Sequence, residues 1–253
     1  APVMSDVVAT GDEESLTPAR VLLGRAGSSY RTQTLLQLRA DHAAARDALH
    51  ERLDLESSPM RELVEQFDIF AVDSQAASFG EHLARPDLGR RLTPEAMATL
   101  RASCPSPVDL QILIGDGLSS AAVRTQVPVL FPLLATAATA RGLSLGRPFL
   151  VRNCRVGVLN DVGAAIDAEV VVLLVGERPG LATAESLSAY LAWRPRPGDT
   201  DERRNLISNI HAGGVPPVAA AGRILGLVEQ LRLLRRSGFE VHESTSSPSA
   251  IAN

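Results

Sequence analysis

Six consecutive apolar residues, "VVVLLV" at 170–175, limit what this chain can fold into more than any other feature. A run this short and this rich in β-branched side chains reads as a buried strand. It empties into "GERPG", so a charged pair, Glu177 and Arg178, and a Pro-Gly turn stand at the strand's exit. Similar units precede it. "VDLQILIGDGLSS" reads as a strand over 108–114, a Gly-Asp-Gly turn and a helical stretch over 119–140, which Pro128 and Pro132 are expected to interrupt. "GRPFLVRNCR" is a further strand, and "VLNDVGAAID" a short helix or loop. Strands alternating with helices imply βαβ units and an α/β fold with a mostly parallel sheet.

The rest of the chain is ordered around that pattern. Residues 1–16 read as a disordered acidic lead-in. Residues 17–105 read as a mostly helical N-terminal region. It contains a helix over 33–53 capped by Thr32, a helix or helix plus strand in "SSPMRELVEQFDIFAVDS", and a short helix in "TPEAMATLRAS" with a Thr cap and Pro in its first turn. The Pro/Ser-rich "SCPSPVD" marks the boundary to a second unit, 106–242. Within it "ESLSAYLAWRP" gives a helical turn and a strand, and "DERRNLISNIHAGGVPP" reads as a long irregular connection. An amphipathic helix over 216–236 follows, its apolar face formed by Val218, Ala221, Ile224, Leu225, Val228 and Leu231, with Gly238 as its stop. The Ser-rich segment 243–253 reads as a flexible tail.

Composition excludes several function classes. A net charge of −4 argues against nucleic acid as the main partner. No unbroken apolar run approaches the roughly 18 residues needed to span a bilayer, so no membrane partner is expected. All 25 basic residues are Arg, which removes a Schiff-base or general-base lysine. Two cysteines are too few for a disulfide framework and suit a reducing compartment. The acidic N-terminus carries no secretory pattern, and a cytoplasmic location is expected.

In an open α/β sheet, ligands bind at the carboxyl ends of strands. Three such loops carry glycine and charge: 115–119, 152–161 and 176–180. Asp116 and Glu177 are acceptors suited to amide or hydroxyl donors, and each also reads as an ordinary turn or surface carboxylate. Ser119 lies in the first loop. His211, in "SNIHAGGVPP", precedes a helix N-terminus and reads equally as a site or as a cap. No G-x-G-x-x-G opens a helix, no Walker A is present, and no His/Cys cluster has zinc spacing. The arginines at 194, 196, 203 and 204 read as a solvated loop or a partner interface. These residues leave open a Rossmann-like nucleotide-binding oxidoreductase, which lacks its glycine fingerprint here, and a non-catalytic α/β interaction module.

"DLQILIGDGLSS", "RVGVLNDVGAAIDAEVVVLLVGERPGLATAESLSAY" and "NLISNIHAGGVPPVAAAGRILGLVEQL" together resemble the small subunit of ethanolamine ammonia-lyase, as does the N-terminal "GRAGSSYRTQTLLQLRADHAAARDAL". The resemblance spans roughly residues 16–238. It implies a Rossmann-like cobalamin-binding domain over 106–242, paired with a large TIM-barrel subunit that holds the substrate. It implies adenosylcobalamin as cofactor and the conversion of ethanolamine to acetaldehyde and ammonia by a radical route, with no metal ligand and no substrate-binding residue from this chain. It places cobalamin contacts at Val156, at Glu177 and at Leu206, where the family often has cysteine. Asp116, Ser119 and His211 join them from the loop argument. No Asp-x-His-x-x-Gly pattern is present, and the resemblance likewise implies that the nucleotide tail's own base stays on cobalt. Free cytoplasm and a bacterial microcompartment both fit the resemblance.

Overall fold

A computed structural model describes residues 25–180 and 183–243. The expected lead-in at 1–16, and the expected tail beyond Glu243, lie outside the described residues. A two-residue hairpin, β1 (Arg25–Ala26) and β2 (Ser29–Tyr30), precedes helix α1 (Thr32–His50). Then come α2 (Met60–Phe67), β3 (Phe70–Asp73), α3 (Phe79–Ala84), α4 (Pro94–Ser103) and β4 (Val108–Gly115). The chain continues through α5 (Ser120–Ala140), β5 (Phe149–Arg152), α6 (Val158–Ala165), β6 (Ala168–Gly176), β7 (Leu187–Trp193), β8 (Asn205–Ile210) and α7 (Pro217–Leu234).

Six strands make one sheet in the order β3-β5-β4-β6-β7-β8. The apolar run is β6, and it is buried on both faces. Val170, Val172 and Leu174 join Ile112 and Ile114 of β4 in a core under α2, α5 and α7. Val171, Leu173 and Val175 join Leu113 in a second core under α4 and α6. A strand covered on both sides has no polar face, which is why its sequence shows no alternation.

The sheet is mixed. Strands β3, β5, β4 and β6 are parallel, but β6–β7 and β7–β8 are antiparallel. The expectation of a mostly parallel sheet therefore needs correction at this edge. The cause is local. A parallel return needs a crossover, commonly a helix. The connection after β6 instead folds back, the Glu177 amide donating to the Ser186 carbonyl at 2.9 Å, so β7 pairs with β6 directly. Strand β8 lies where an irregular connection was expected. It is an edge strand with Leu206, Ser208 and Asn209 exposed, so its sequence is polar and weakly patterned.

Four further differences have physical reasons. Helix α5 runs unbroken through Pro128 and Pro132. Each proline costs about 3 kcal/mol in a helix interior. Val123, Val127, Leu130 and Leu134 are fully buried from the same helix, and each side chain returns about 1.5–3 kcal/mol. By length and hydropathy α5 would also satisfy a bilayer span; here its buried face fills the core beside β6 and α7. Helix α1 ends at His50, with Arg31 rather than Thr32 at its N-cap. Helix α7 stops at Leu234 because Arg235 turns left-handed (φ 52°), three residues before Gly238. Its Val218 is exposed, while the other five expected apolar-face residues are buried.

Residues 32–103 supply helices and also the sheet's edge strand β3, which pairs with β5 in register Phe70↔Phe149. The Thr93 cap of α4 is formed as expected, its hydroxyl accepting from the Ala96 amide. Helix α1, by contrast, has no buried residue, and it exposes Leu35 and Leu36.

The burial pattern generates a paired prediction. Leu113→Ala, at the centre of β4, should lower the unfolding free energy by roughly 2–5 kcal/mol. Leu36→Ala on α1 should stay within about 0.5 kcal/mol in the isolated chain. Denaturant titration checks both, and equal effects would contradict this assignment of the core.

Candidate functional site

The carboxyl ends of β4, β5 and β6 converge with the start of β7 and the middle of β8 around a cleft of about 360 Å³. Each wall follows from the strand that ends there. From β4 come Gly117 and Leu118, and from the loop after β5 come Cys154, Arg155 and Val156. Strand β6 delivers Val175 through Arg178. Alternation along β7 turns Ser188 and Tyr190 to the same side, and alternation along β8 does the same for Leu206 and Ser208. The lining combines apolar side chains with hydroxyls, one carboxylate and two guanidiniums.

The floor is two backbones in contact. The Leu118 amide donates to the Gly176 carbonyl at 3.1 Å. A side chain on Gly117 (φ 61°) would strike the Gly176 carbonyl, and one on Gly176 would strike the backbone of Ser119. The glycines are needed because two loops approach each other, a different reason from the ligand approach that the sequence suggests.

The expected site residues separate into walls and supports. Val156, Glu177 and Leu206 line one cleft although they are distant in sequence. Leu206 is 46% exposed, an apolar side chain at an open rim. Glu177 lines the cleft, yet its carboxylate is tied inward. It accepts from Ser188 Oγ at 2.6 Å, Ser186 Oγ at 2.8 Å and the Asn209 amide at 2.9 Å. It thus clamps the exit of β6 to the start of β7 and to the left-handed Asn209 of β8 (φ 59°).

Asp116 is a support. Its carboxylate accepts from the amides of Asn153 (2.7 Å), Cys154 (2.8 Å) and its neighbour Gly117 (2.8 Å), bonding the β4 exit to the β5 exit. Burial pushes its pKa up, against the pull of those three amides. Ser119 is buried and caps α5, accepting from the Ala122 amide while donating to the Ala184 carbonyl. His211 stands away from the cleft, in the turn between β8 and α7. Its Nδ1 accepts from the Gly213 amide at 3.1 Å, so Nε2 carries the proton and donates to Asn209 Oδ1 at 2.7 Å.

Several participants were not singled out from the sequence. Ser188 and Tyr190 form a wall; their i, i+2 spacing on a strand was the available signal. Burial, with the Glu177 charge adding to it, raises the Tyr190 pKa, so its phenol stays protonated near neutrality. Buried His82 sits beneath the β5 exit, its Nδ1 donating to the Asn153 carbonyl at 2.9 Å. Burial first, then the Arg155 charge, lowers its pKa, which keeps it neutral. Nothing in its local sequence marks it.

Comparison with known proteins meets this geometry. Residues 10–242 match the family model described as ethanolamine ammonia-lyase light chain. The chain belongs to the ethanolamine ammonia-lyase light-chain family. Among its relatives, the ethanolamine ammonia-lyase small subunit of Clostridioides difficile is 39% identical over 236 residues, covering 93% of this chain and 78% of the relative. That of Clostridium perfringens is 41% identical over 225 residues, covering 89% and 74%. That of Listeria monocytogenes is 40% identical over 228 residues, covering 90% and 76%. In this chain the "GERPG" and "SNIH" stretches are joined by the Glu177–Asn209 bond, and Asn209 is bonded in turn to His211.

The support role of Asp116 is testable. Asp116→Ala strips the acceptor from three amides, and each unpaired buried donor costs about 1–3 kcal/mol. Hydrogen exchange at Gly117, Asn153 and Cys154 should accelerate about tenfold or more, while the centre of β6 keeps its protection. Unaltered exchange at those three amides would show that Asp116 does not hold the loops.

Proposed function

We propose that this chain is the cobalamin-covering subunit of an adenosylcobalamin-dependent ethanolamine ammonia-lyase, active together with a large catalytic subunit. One observation carries the reading. The three positions to which the family resemblance gives cobalamin contacts, Val156, Glu177 and Leu206, come from three separate loops and strands and line one cleft. The parallel half of the sheet then acts as a Rossmann-like platform, with its ligand at the carboxyl ends of the strands.

The lining fits a corrinoid's chemistry. Leu118, Val156, Val175 and Leu206 offer an apolar surface to a flat macrocycle. Ser208 and Arg178 offer a hydroxyl and a guanidinium donor to amide side chains, while Ser188 is turned to Glu177 and Arg155 to the His82 carbonyl. Small-molecule pockets run from about 300 to 1,000 Å³, and at about 360 Å³ this cleft can take one edge of such a cofactor, not enclose it. A half-site calls for a second surface. Helix α1, with no buried residue and with Leu35 and Leu36 exposed, supplies further apolar area for the large subunit.

When bound, adenosylcobalamin supplies cobalt–carbon homolysis, the hard chemistry of the reaction. This chain's part is to bind, orient and shield. Its one cleft carboxylate is engaged by three internal donors, and Tyr190 stays protonated, so neither is placed as a proton acceptor.

Co-purified with the large subunit, the chain should support ethanolamine turnover that requires both subunits and adenosylcobalamin; no turnover from the complete mixture would refute the reading. Within that assembly Glu177→Ala should weaken cobalamin binding about tenfold, the equivalent of one hydrogen-bonded charge. Glu177→Gln should recover most of the loss, because the Gln amide can pair with the same two serine hydroxyls and the Asn209 amide. If Gln fails as badly as Ala, the charge itself meets the cofactor and the clamp does not explain the effect.

A further inference from the structure

A second cleft, about 950 Å³, lies at the opposite end of the sheet, where β7 ends and β8 begins. Along β7 it begins at Ala192, two residues or roughly 7 Å beyond Tyr190 of the first cleft. Its walls are the residues after β7, the loop leading to the 3-10 turn Asp201–Arg203, and the segment after α7. These walls are bonded to one another. Ser237 Oγ donates to the Arg203 carbonyl at 2.6 Å and accepts from the Trp193 amide at 3.0 Å. Buried Asn205 accepts from the Gly238 amide and donates to the carbonyls of Gly238 and Val241.

Six arginines line it: Arg194, Arg196, Arg203, Arg204, Arg235 and Arg236. Carboxylates answer three of them, through Arg203–Asp199, Arg204–Asp201 and Arg236–Glu240. Among the described residues the guanidinium groups of Arg194, Arg196 and Arg235 have no carboxylate partner; that of Arg196 donates to the carbonyls of Gly163 and Pro195, and its backbone amide donates to Asp199 Oδ2 at 2.8 Å. Three carboxylates, Asp199, Glu202 and Glu240, line the same hollow, so the six arginines leave an excess of three positive charges in a chain of net charge −4. Two of the unpaired arginines, Arg194 (φ 39°) and Arg235 (φ 52°), also hold left-handed backbone, which is uncommon for a residue that is not glycine. The Arg204 side chain is almost fully buried and its Nε lacks a partner; burial lowers its pKa. Phe239 lies on the same wall, 73% exposed.

We infer that this cleft is a binding site for a small polyphosphate anion, held by Arg194, Arg196 and Arg235. Guanidinium groups match phosphate oxygens in bidentate pairs, and several arginines lining one hollow favour an anion with more than one charged group. A concave wall suits a small ligand better than a flat protein partner. Inorganic triphosphate and the triphosphate of a nucleotide share this chemistry. They differ in the base, for which Phe239 is the available stacking surface.

Trp193, the only tryptophan in the chain, lines the cleft and reports on it directly. Its fluorescence in the full chain should change saturably with sodium triphosphate and with ATP, and not with chloride raised to the same ionic strength. Arg194→Gly with Arg235→Gly removes two guanidiniums and leaves a residue at ease in left-handed backbone, so the fold is kept. That double variant should bind triphosphate at least about tenfold more weakly, a loss of the size expected for charge-assisted pairs. Tighter binding of ATP that Phe239→Ala abolishes would identify a nucleotide; equal binding of the two would identify an inorganic polyphosphate. A chloride response equal to the triphosphate response, no saturable change, or full affinity in the double variant would each overturn the proposal.

Discussion

The structure turns on the exit of β6. On one side of β6 lies parallel β4, on the other antiparallel β7. Where two such halves meet, the chain must reverse beside the strand ends, and Glu177 fixes how it does so. Its amide bonds to the Ser186 carbonyl, and its carboxylate holds Ser186, Ser188 and Asn209. One residue thereby sets β7 against β6 and draws the polar edge strand β8 into place. The cleft is the space left when parallel strand ends on one side face antiparallel strands on the other. Without the reversal, Ser188, Tyr190 and Leu206 would not face Val156.

Much of this order could be read from residues alone. The two-sided burial of β6, the strand of 108–115, the Thr93 cap and the final helix all carry strong local signals. Those signals arise from the chain's own backbone needs and from large apolar areas. The misreadings share a different origin. Strand β8 has one buried face and a polar sequence, so its alternation over six residues is faint. The two prolines of α5 promised a break, but the cost of two missing amide donors is outweighed by the packing of an entire face. In each case tertiary contacts, invisible in a local window, decided the outcome.

The site shows the same division more finely. Position in the loops marked Asp116, Ser119, Glu177 and His211 as polar groups near strand ends, and all four are there. What the sequence could not show is where each acceptor spends its lone pairs. Asp116 and Ser119 spend theirs on the loops' own amides, and His211 on the turn that enters α7. A polar residue in a ligand-binding loop has two possible employers, the loop and the ligand, and only the hydrogen-bond census separates them. Val156, on the loop after β5, and Leu206, on β8, are apolar and unremarked by any chemical motif, and the fold brings both to one wall.

That census also bears on what a chain like this contributes to catalysis. A subunit that transferred protons would need a basic group facing the cleft with free lone pairs and a pKa near neutrality. Glu177 is held by three donors, and the Tyr190 phenol is driven towards its protonated form by burial and by the neighbouring carboxylate. Arg155 and Arg178 are donors only. The cleft therefore presents an apolar wall with donors and no free base. For the cofactor proposed above, such a surface supplies a fixed wall without a free base. The rigidity that costs the loops their polar freedom is, on this view, what the site requires.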